Sequence, residues 1–392
     1  MNRFCSIFSQ LLDLFPRHKF DEAVKKHGAE KGSKGFSSWT QFVAMEFCQL
    51  GRANSLREIC GGLAGCEGKL KHLGVREPPS PSTLSYANAN RPWELYQTVF
   101  EQLYVKCAAL AEHRGQKSLR FKNKVMSLDS STIDLCLSMF DWAHFRRTKG
   151  AVKLHLVLDH DGYLPAYAVL TDGKKGDITV ARAMKFAPGT VLAMDRGYND
   201  YDWFAELTGQ RVWFVTRMKD GAAYEVVEER EPPKNCAVQK DQVIYFPSLS
   251  ASGKDVFFRR VEVWDEEKQR TLAFLTNHLE FGATTIAAIY RQRWHVELFF
   301  KALKQTLKVK TFLGTTANAV HTQLWTALIA MLLLKYLQLK STFGWSLSNL
   351  AALLRYQLFA HRDLYAWLDS PFDPPPALEG IHDGQLRINF AV

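Results

Sequence analysis

Apolar residues recur at helical spacing through the first quarter of the chain and predict a run of short helices over residues 4–110. In the first of these the apolar positions follow i, i+3, i+4 and i+7, and Pro16 ends the pattern. Further helices are expected over residues 39–50 and 55–63, and another begins near Ser82. This part of the chain is therefore predicted to be helical throughout.

From about residue 121 the pattern changes to short β-rich runs separated by turns. His160-Asp161-Gly162 is a turn signal between two such runs and predicts a hairpin. The predicted elements are, in order, strands at 125–128, 154–159 and 164–170, a helix at 178–186, a strand at 191–194, a helix at 201–207 and a strand at 212–215. Their order is β-β-β-α-β-α-β.

Residues 223–280 are rich in Val, Tyr and Phe, and runs such as FFRRVEVW alternate in the manner of strands. We interpret them as a mostly β insertion. Helical spacing returns over residues 281–370, and the proline-rich stretch that follows begins a tail over residues 371–392. The chain is thus predicted to contain helical, mixed and β-rich parts.

The composition is that of a folded protein, with 47% hydrophobic and 23% charged residues among 392. A net charge of +10 and a pI near 9.1 favour a polyanionic partner. Seven scattered cysteines without a C-x-x-C pair indicate neither a zinc ribbon nor a disulfide framework, which predicts a reducing cytoplasm. The start of the chain lacks the features of a signal peptide, and the apolar run at 327–334 is too short to span a bilayer, so no membrane association is expected.

One stretch, IYRQRWHVELFFKALKQTLK, brings polar residues of related chemistry to one side of a predicted helix. At about 100° per residue, four of them fall within an arc of about 60°. They are Tyr290, Arg293, Glu297 and Lys304. The flanking apolar stripe belongs in a core and consists of Val296, Phe299, Phe300, Leu303 and Leu307. A carboxylate among cations suits an enzyme that holds metal ions and phosphates, whereas the simpler alternative is a surface helix with a solvated basic face.

The spacing Y-x2-R-x3-E-x6-K resembles the C-terminal signature of bacterial insertion-sequence DDE transposases of the IS-four family. Two segments upstream resemble other parts of that pattern. Asp129 lies in LDSSTIDL near the first strand, and Asp195 follows the fourth strand in VLAMDRGYND. With Glu297 they supply, in order, the three acids that the resemblance requires. Each Asp taken alone is also compatible with a turn or strand-end residue.

The resemblance implies an α+β multidomain protein with an RNase H-like α/β catalytic core, in which the first and fourth strands are adjacent. That adjacency would bring Asp129 and Asp195 within reach of one metal ion. The predicted boundaries are 1–115 for a helical N-terminal DNA-binding domain, 121–222 for the first part of the core, 223–280 for the insertion, 281–370 for the second part of the core with the C-terminal helices, and 371–392 for the tail. Because no helix-turn-helix spacing is evident, the N-terminal helices are alternatively a cap on the core.

Three acids without a Cys/His cluster favour hard divalent ions, Mg2+ or Mn2+. Two ions per active site would generate the nucleophile and stabilise the leaving oxygen of a DNA phosphodiester. The resemblance makes Asp129, Asp195 and Glu297 both catalytic residues and metal ligands. The competing acids fit turns or strand ends, namely Asp134, Asp159, Asp161 and Asp172. Two histidines, His144 and His155, are candidates to lie near the site, but a single His is more often structural and neither is given a role.

The resemblance also implies that the signature helix contacts DNA. Arg293, Lys304 and Tyr290 are expected to hold backbone phosphates, with Lys301 beside them. Trp294 either stacks on an extruded base or packs the insertion against the core. The expected partner is double-stranded DNA, both the inverted repeats of the element and the target, bound by a homodimer in the cytoplasm at the nucleoid.

The function expected from the resemblance is cut-and-paste transposition. The enzyme would bind the inverted repeats, cleave the DNA at the element ends, and join the 3′-hydroxyls to target DNA through a hairpin intermediate. Two alternatives stay open from the residues alone: a metal-dependent nuclease on the same fold, and a non-catalytic DNA-binding relative.

Overall fold

The computed structural model describes residues 5–33, 35–66, 70–114, 121–136, 138–140, 142–146, 149–309 and 311–373. Nearly all of the predicted tail, residues 374–392, lies outside the described residues.

The N-terminal part is helical, as predicted. Its helices are α1 (Ile7–Leu12), α2 (Arg17–His27), α3 (Ser38–Gly51), α4 (Leu56–Ala64), α5 (Pro81–Asn90) and α6 (Glu94–His113). Side-chain oxygens of Ser6, Ser37, Ser55 and Ser80 accept backbone N–H groups at the starts of α1, α3, α4 and α5, which satisfies donors that have no partner within a helix. Pro16 both separates α1 from α2 and occupies the N-cap of α2.

In the described part of the chain, ten strands form one mixed sheet. The strands are β1 (Val125–Leu135), β2 (His144–Arg146), β3 (Lys149–Asp159), β4 (Leu164–Asp172), β5 (Val191–Met194), β6 (Trp213–Arg217), β7 (Glu225–Arg230), β8 (Val238–Tyr245), β9 (Phe257–Asp265) and β10 (Arg270–Thr276). Their order is β2-β3-β1-β5-β6-β10-β9-β8-β7, and β4 also pairs with β3. Two helices cover one face, α7 (Asp177–Ala183) and α8 (Tyr201–Gly209).

Strand direction decides which ends of the strands meet. The hairpin partners β3 and β4 are antiparallel, and β3 is antiparallel to β1. The strands β1, β5 and β6 are parallel, which requires crossover connections, and α7 and α8 lie on these crossovers. The predicted adjacency of the first strand and the strand before Asp195 is therefore observed. The short strand β2 had no counterpart in the prediction.

The β-rich residues 223–280 do not form a sheet of their own. Strand β10 pairs antiparallel with β6, and β9, β8 and β7 continue outward from it. A short helix, α9 (Pro247–Ser250), connects β8 to β9. Residues 223–280 thus form strands, as expected, but these strands extend the central sheet and do not form a separate one.

The C-terminal part contains α10 (Ala283–Gln292), α11 (Trp294–Thr306), α12 (Ala317–Lys340), α13 (Leu347–Gln357) and α14 (Leu364–Asp369). By length and composition α12 is apolar enough to cross a membrane, but 83% of its 18-residue apolar window is buried inside the protein. Core helices have the same properties, and α12 packs against α3, α5 and α6. The N-terminal helices, α12 and one face of β1, β3 and β4 share a single hydrophobic cluster.

The signature stretch, predicted as one helix, consists of two helices that meet at Arg293. The backbone of Arg293 keeps right-handed helical angles, φ −50° and ψ −34°. Around it the backbone hydrogen bonds span three residues, as in a 3-10 helix. The Arg293 N–H donates to the carbonyl of Tyr290, and the Val296 N–H donates to the carbonyl of Arg293. The backbone at Arg293 therefore stays helical while the i→i+4 hydrogen bonds are interrupted.

A buried ion pair fixes the chain between β10 and α10. The Arg259 guanidinium donates to both carboxylate oxygens of Asp241, at 2.7 and 2.6 Å, and both side chains are almost fully buried. The same guanidinium donates to the carbonyls of Leu279 and Phe281. It thus joins β8 and β9 to the segment that leads into α10.

We predict that Arg259→Ala lowers the free energy of unfolding by about 3–5 kcal/mol, because it leaves a buried, unpaired carboxylate. Chemical denaturation measures the change. The matched control is Arg182→Ala, which breaks the solvent-exposed pair with Asp200 and is expected to cost less than about 1 kcal/mol. Equal costs for the two variants would contradict the role given to Arg259.

Candidate active site

Two of the three predicted acids come together through the pairing of β1 with β5. Leu128 and Met194 are directly paired in the parallel register, and Asp129 and Asp195 are the next residues along each strand. Strand β1 continues past Asp129 in its pairing with β3, whereas β5 ends and a single 3-10 turn, Arg196–Tyr198, follows Asp195. Both carboxylates therefore lie at the same end of the parallel pair.

The third acid is supplied by α11, which packs against β1 and β3. Glu297 lies in the first turn of α11, where the positive end of the helix dipole favours a carboxylate. The predicted apolar stripe is buried as expected, at Val296, Phe299, Phe300, Leu303 and Leu307. The burial of this stripe turns the edge that carries Glu297 toward β1.

Arg293 lies between two of the acids. Its Nη2 donates to Glu297 Oε1 at 2.7 Å, and its Nη1 is 3.6 Å from Asp129 Oδ2. The Arg293 side chain is only 13% exposed, and among the described residues its Nε has no hydrogen-bond partner. The guanidinium thus acts as the local counter-ion of Asp129 and Glu297.

The ionisation of Asp129 reflects this crowding. Burial raises its pKa to about 6, while the backbone N–H of Ser130 and the charge of Arg293 oppose the rise. The charges of Glu297 and Asp195 raise the pKa of Asp129 further. Asp129 therefore interacts electrostatically with both other acids in a partly desolvated space.

Lys304, the last residue of the signature, holds α11 against β1. Its ammonium donates to Ser131 Oγ at 2.7 Å and to the carbonyl of Thr132 at 3.0 Å. These acceptors lie two and three residues beyond Asp129 on the same strand. Lys304 therefore fixes the spacing between the helix of Glu297 and the strand of Asp129.

Tyr290 completes the polar face from α10. Its ring lies 4.7 Å from that of Phe274 on β10, and the Arg293 guanidinium lies 5.6 Å from its centroid. Burial raises the pKa of Tyr290, the charge of Arg293 opposes this, and that of Asp195 adds to it. The phenol is thus close to both Arg293 and Asp195.

The two remaining predicted DNA contacts lie on the outer side of α11. Trp294 is 56% exposed, so it is not packed between the insertion and the core. Lys301 is also exposed. Neither side chain joins the cluster around Arg293.

The competing acids lie elsewhere. Asp159 is buried in an ion pair with Lys124 at 2.7 Å and accepts a hydrogen bond from Tyr104. Asp172 accepts a backbone N–H in a turn, and Asp134 is exposed on β1. Their positions fit the turn and strand-end roles expected for them.

A layer of residues behind Asp129 was not predicted from the sequence. Tyr198 is buried, which raises the pKa of its phenol, and the charges of Asp177 and Asp129 raise it further. His155 pairs in register with Ser130, contacts Thr171 Oγ1 at 3.0 Å, and lies 3.4 Å from Asp177. Burial lowers the pKa of His155 to about 4, so it is neutral at pH 7.

The sequence contained a signal for only part of this layer. Tyr198 follows Asp195 by three residues, whereas the position of His155 across from Ser130 depends on the register of β3 against β1. The side chain of His144 lies outside the part of the chain that the structure describes.

The donor chemistry of the site fits a hard divalent cation, since Asp129, Asp195 and Glu297 offer only carboxylate oxygen. In the described residues, however, no group of three or more His, Cys, Asp or Glu side chains is already arranged to hold a metal ion. Arg293 takes up the charge of two of the acids instead. A cation held by all three requires the guanidinium to withdraw from Asp129 and Glu297.

Comparison with known proteins identifies the class. The sequence matches the family model described as "Transposase DDE domain" over residues 120–333, more than half of the chain. A second match, to a domain of unknown function (DUF4372), covers residues 5–76. The transposase y4zB of Sinorhizobium fredii is 29% identical over 334 residues, which cover 83% of this chain and 89% of that protein.

Two further relatives specify the group. The transposase for insertion sequence element IS5377 of Geobacillus stearothermophilus is 31% identical over 70% of this chain and 72% of its own length. The transposase InsG for insertion sequence element IS4 of Escherichia coli is 24% identical over 38% of this chain and 35% of its own length. The chain therefore belongs to the DDE transposases, which are metal-dependent, DNA-cleaving polynucleotidyl transferases. Within them it is a transposase of an insertion sequence, and the resemblance to the IS-four family is confirmed.

We predict that Asp129→Asn stabilises the metal-free protein at pH 7.5 by on the order of 1–3 kcal/mol, the equivalent of the raised pKa. An ordinary aspartate has a pKa of 3.8, so above about pH 6 Asp129 is charged in both the folded and the unfolded protein. Burial disfavours that charge only in the folded protein. Below about pH 4 both states are protonated, and the gain should vanish.

Thermal unfolding in EDTA across this pH range measures the effect. Asp134→Asn, an exposed change on the same strand, is the control and should alter stability little. A destabilised Asp129→Asn protein at pH 7.5 would show that the carboxylate is favourably placed without metal.

Proposed function

We propose that this transposase works by cut and paste. It binds the terminal inverted repeats of its element, hydrolyses the DNA at both ends, and joins the 3′-hydroxyls to target DNA through a hairpin intermediate. The observation that carries the proposal is the placement of Asp129 beside Asp195 at the end of two parallel strands, with Arg293 bridging Asp129 to Glu297. A carboxylate cluster beside a guanidinium suits a reaction on a phosphodiester.

The strands β1–β6 are proposed to be an RNase H-like catalytic core. The support is their arrangement: three antiparallel strands in chain order β1, β3 and β4, followed by two strands, β5 and β6, parallel to β1 and reached through helices. The predicted domain boundaries, 1–115, 121–222, 223–280 and 281–370, are retained as proposals. The continuous sheet and the shared hydrophobic cluster give these parts extensive contacts with one another.

We propose Asp129, Asp195 and Glu297 as the ligands of two Mg2+ or Mn2+ ions. Such ions activate a nucleophile and stabilise the leaving oxygen when bound. Lys304 keeps α11 in contact with β1, so that Glu297 stays beside Asp129. Tyr198 packs in the same hydrophobic cluster as Leu128, and His155 pairs in register with Ser130, so both support β1 next to Asp129.

The polar face of α10 and α11 is proposed to hold DNA phosphates. Arg293 has a buried Nε without a partner among the described residues, and a phosphate oxygen would satisfy this donor. Movement of Arg293 onto phosphate would release Asp129 and Glu297 for the metal ions. Tyr290 and Lys304 flank this position, and the exposed Trp294 and Lys301 extend the surface along α11.

The remaining parts of the proposal concern assembly and location. The helical residues 1–115 contribute to the recognition of the inverted repeats, and two copies act together as a homodimer on the two ends. The enzyme works in the cytoplasm on nucleoid DNA. The net charge of +10 supports association with a polyanion.

We predict that Asp129→Ala, Asp195→Ala and Glu297→Ala each reduce cleavage by about a thousandfold or more, because each removes a metal ligand. Binding to inverted-repeat DNA should change little, since it depends on basic contacts. Denaturing gels of end-labelled DNA resolve nicked, hairpinned and joined products. Asp134→Ala is the control on the same strand.

The products also discriminate between the candidate functions. A wild-type protein that nicks DNA without preference for the repeats, and never yields hairpins or joined ends, would be a nuclease and not a cut-and-paste transposase. Full cleavage by any one of the three acid variants in Mg2+ would remove that residue from the site.

We predict that Arg293→Gln increases the affinity of the DNA-free protein for Mn2+ by about fivefold or more, because it removes a counter-ion that competes for two ligands. The bound ion can be counted by electron paramagnetic resonance, independently of activity. The same variant should join DNA ends less well, since Arg293 is proposed to hold a phosphate. Arg291→Gln, an exposed change on α10, is the matched control. Unchanged Mn2+ affinity would contradict the competition.

A further inference from the structure

The segment that follows α11 is held by two buried glutamines. Gln49 of α3 accepts the backbone N–H of Lys308 at 2.9 Å and donates to the carbonyl of Gln323 at 3.2 Å. Gln323 of α12 donates to the carbonyls of Lys308, at 2.7 Å, and Thr311, at 2.8 Å. Its amide oxygen accepts the N–H of Leu313 at 2.9 Å. Two side chains thus replace the hydrogen bonds that a helix or strand would provide.

These amides lie in the interior. Gln49 is fully buried, Gln323 is 1% exposed, and the neighbouring Leu307 and Val309 are buried as well. A buried amide is costly unless its donors and acceptors are satisfied, and here both oxygens and both nitrogens are bonded. Displacement of the segment by even a small distance would break several of these bonds together. The position of the backbone after α11 is therefore strongly specified.

These hydrogen bonds connect the N-terminal helices to the segment after α11, and the proposed function gives these two parts of the chain different roles. Gln49 belongs to the N-terminal helices, which are proposed to recognise DNA ends. The segment it holds directly continues α11, which carries Glu297 and is tied to β1 by Lys304. A shift at the end of α11 would move Lys304 relative to Ser131 and so change the separation of Glu297 from Asp129.

We propose that Gln49 and Gln323 are positioning residues for the catalytic helix. They lock the end of α11 to α3 and α12, so that Glu297 and Lys304 are set against β1 only when the N-terminal helices are in place. DNA contacts made by these helices are thereby coupled to the geometry of the acids. This inference rests on the proposed function for its catalytic consequence, while the mechanical link itself stands on the hydrogen bonds.

The helix α3 offers a matched control for the test. Gln41 is also fully buried on α3, but it donates to Asn88 at 2.9 Å and accepts from Arg91, both within the N-terminal helices. Gln41→Leu and Gln49→Leu therefore remove the same chemistry from the same helix. Only the second change removes a hydrogen bond to the backbone of the segment that follows α11.

The experiment compares both variants with the full-length wild type, well below their unfolding temperatures. Hydrogen exchange measured by mass spectrometry should show faster exchange across residues 300–309 in Gln49→Leu and not in Gln41→Leu. With inverted-repeat DNA, Gln49→Leu should lose cleavage by about tenfold or more in kcat, while the KM for DNA stays close to that of wild type. Gln41→Leu should keep wild-type cleavage, although it unfolds at a lower temperature.

The outcomes separate this inference from the proposed function. The positioning role would be overturned if the two variants exchanged equally fast across residues 300–309. It would also be overturned if both variants lost cleavage in proportion to their loss of stability. A wild-type protein that fails to cleave repeats would instead count against the proposed function, and the exchange comparison would still decide the link. Gln49→Asn, which keeps an amide but is one methylene shorter, gives the same test if Gln49→Leu does not fold.

Discussion

The burial of Asp129 beside two further carboxylates is the constraint on which the rest of the site depends. Asp129 and Asp195 are adjacent because β1 and β5 pair in parallel, and Glu297 joins them through the packing of α11. Burial contributes most to the raised pKa of Asp129 and the charges of Glu297 and Asp195 add to it, so such a cluster is unfavourable without positive charge. Arg293 supplies that charge at the centre, and Lys304 holds the helix and strand together at the edge. The site is thus assembled at a cost in stability that its cations only partly offset.

Much of this arrangement could be predicted from the sequence, because local patterns encode it. The apolar runs before Asp129 and Asp195 predicted two strands, and the stripe through Val296 and Leu303 predicted which side of α11 is buried. Periodicity does not encode contacts between distant segments. The bond from Lys304 to Ser131 and the layer formed by His155 behind β1 depend on strand register and on packing that the chain establishes only as a whole.

Other differences have local causes that hydrophobic pattern alone does not reveal. The interruption at Arg293 leaves the helical angles intact and changes only the hydrogen-bond ladder, so the spacing of Tyr290 and Glu297 predicted a single helix. The strands after residue 223 were expected to form a separate part. Alternation identifies strands but does not say which edge they join, and β10 joins the exposed side of β6. The central sheet therefore continues through β9 and β8 to β7.

The hydrophobic cluster shared by the N-terminal helices and α12 has a consequence for how such enzymes diversify. A recognition module connected by a flexible linker can be exchanged between proteins without harm to the remainder. Here α3 and α6 cover a helix of 24 residues whose apolar side chains would otherwise face water. On the proposed role of the N-terminal helices in DNA recognition, a lineage carrying this architecture would change its preferred DNA ends by substitutions on the outer surfaces of these helices. Replacing the whole segment would expose apolar side chains of α12.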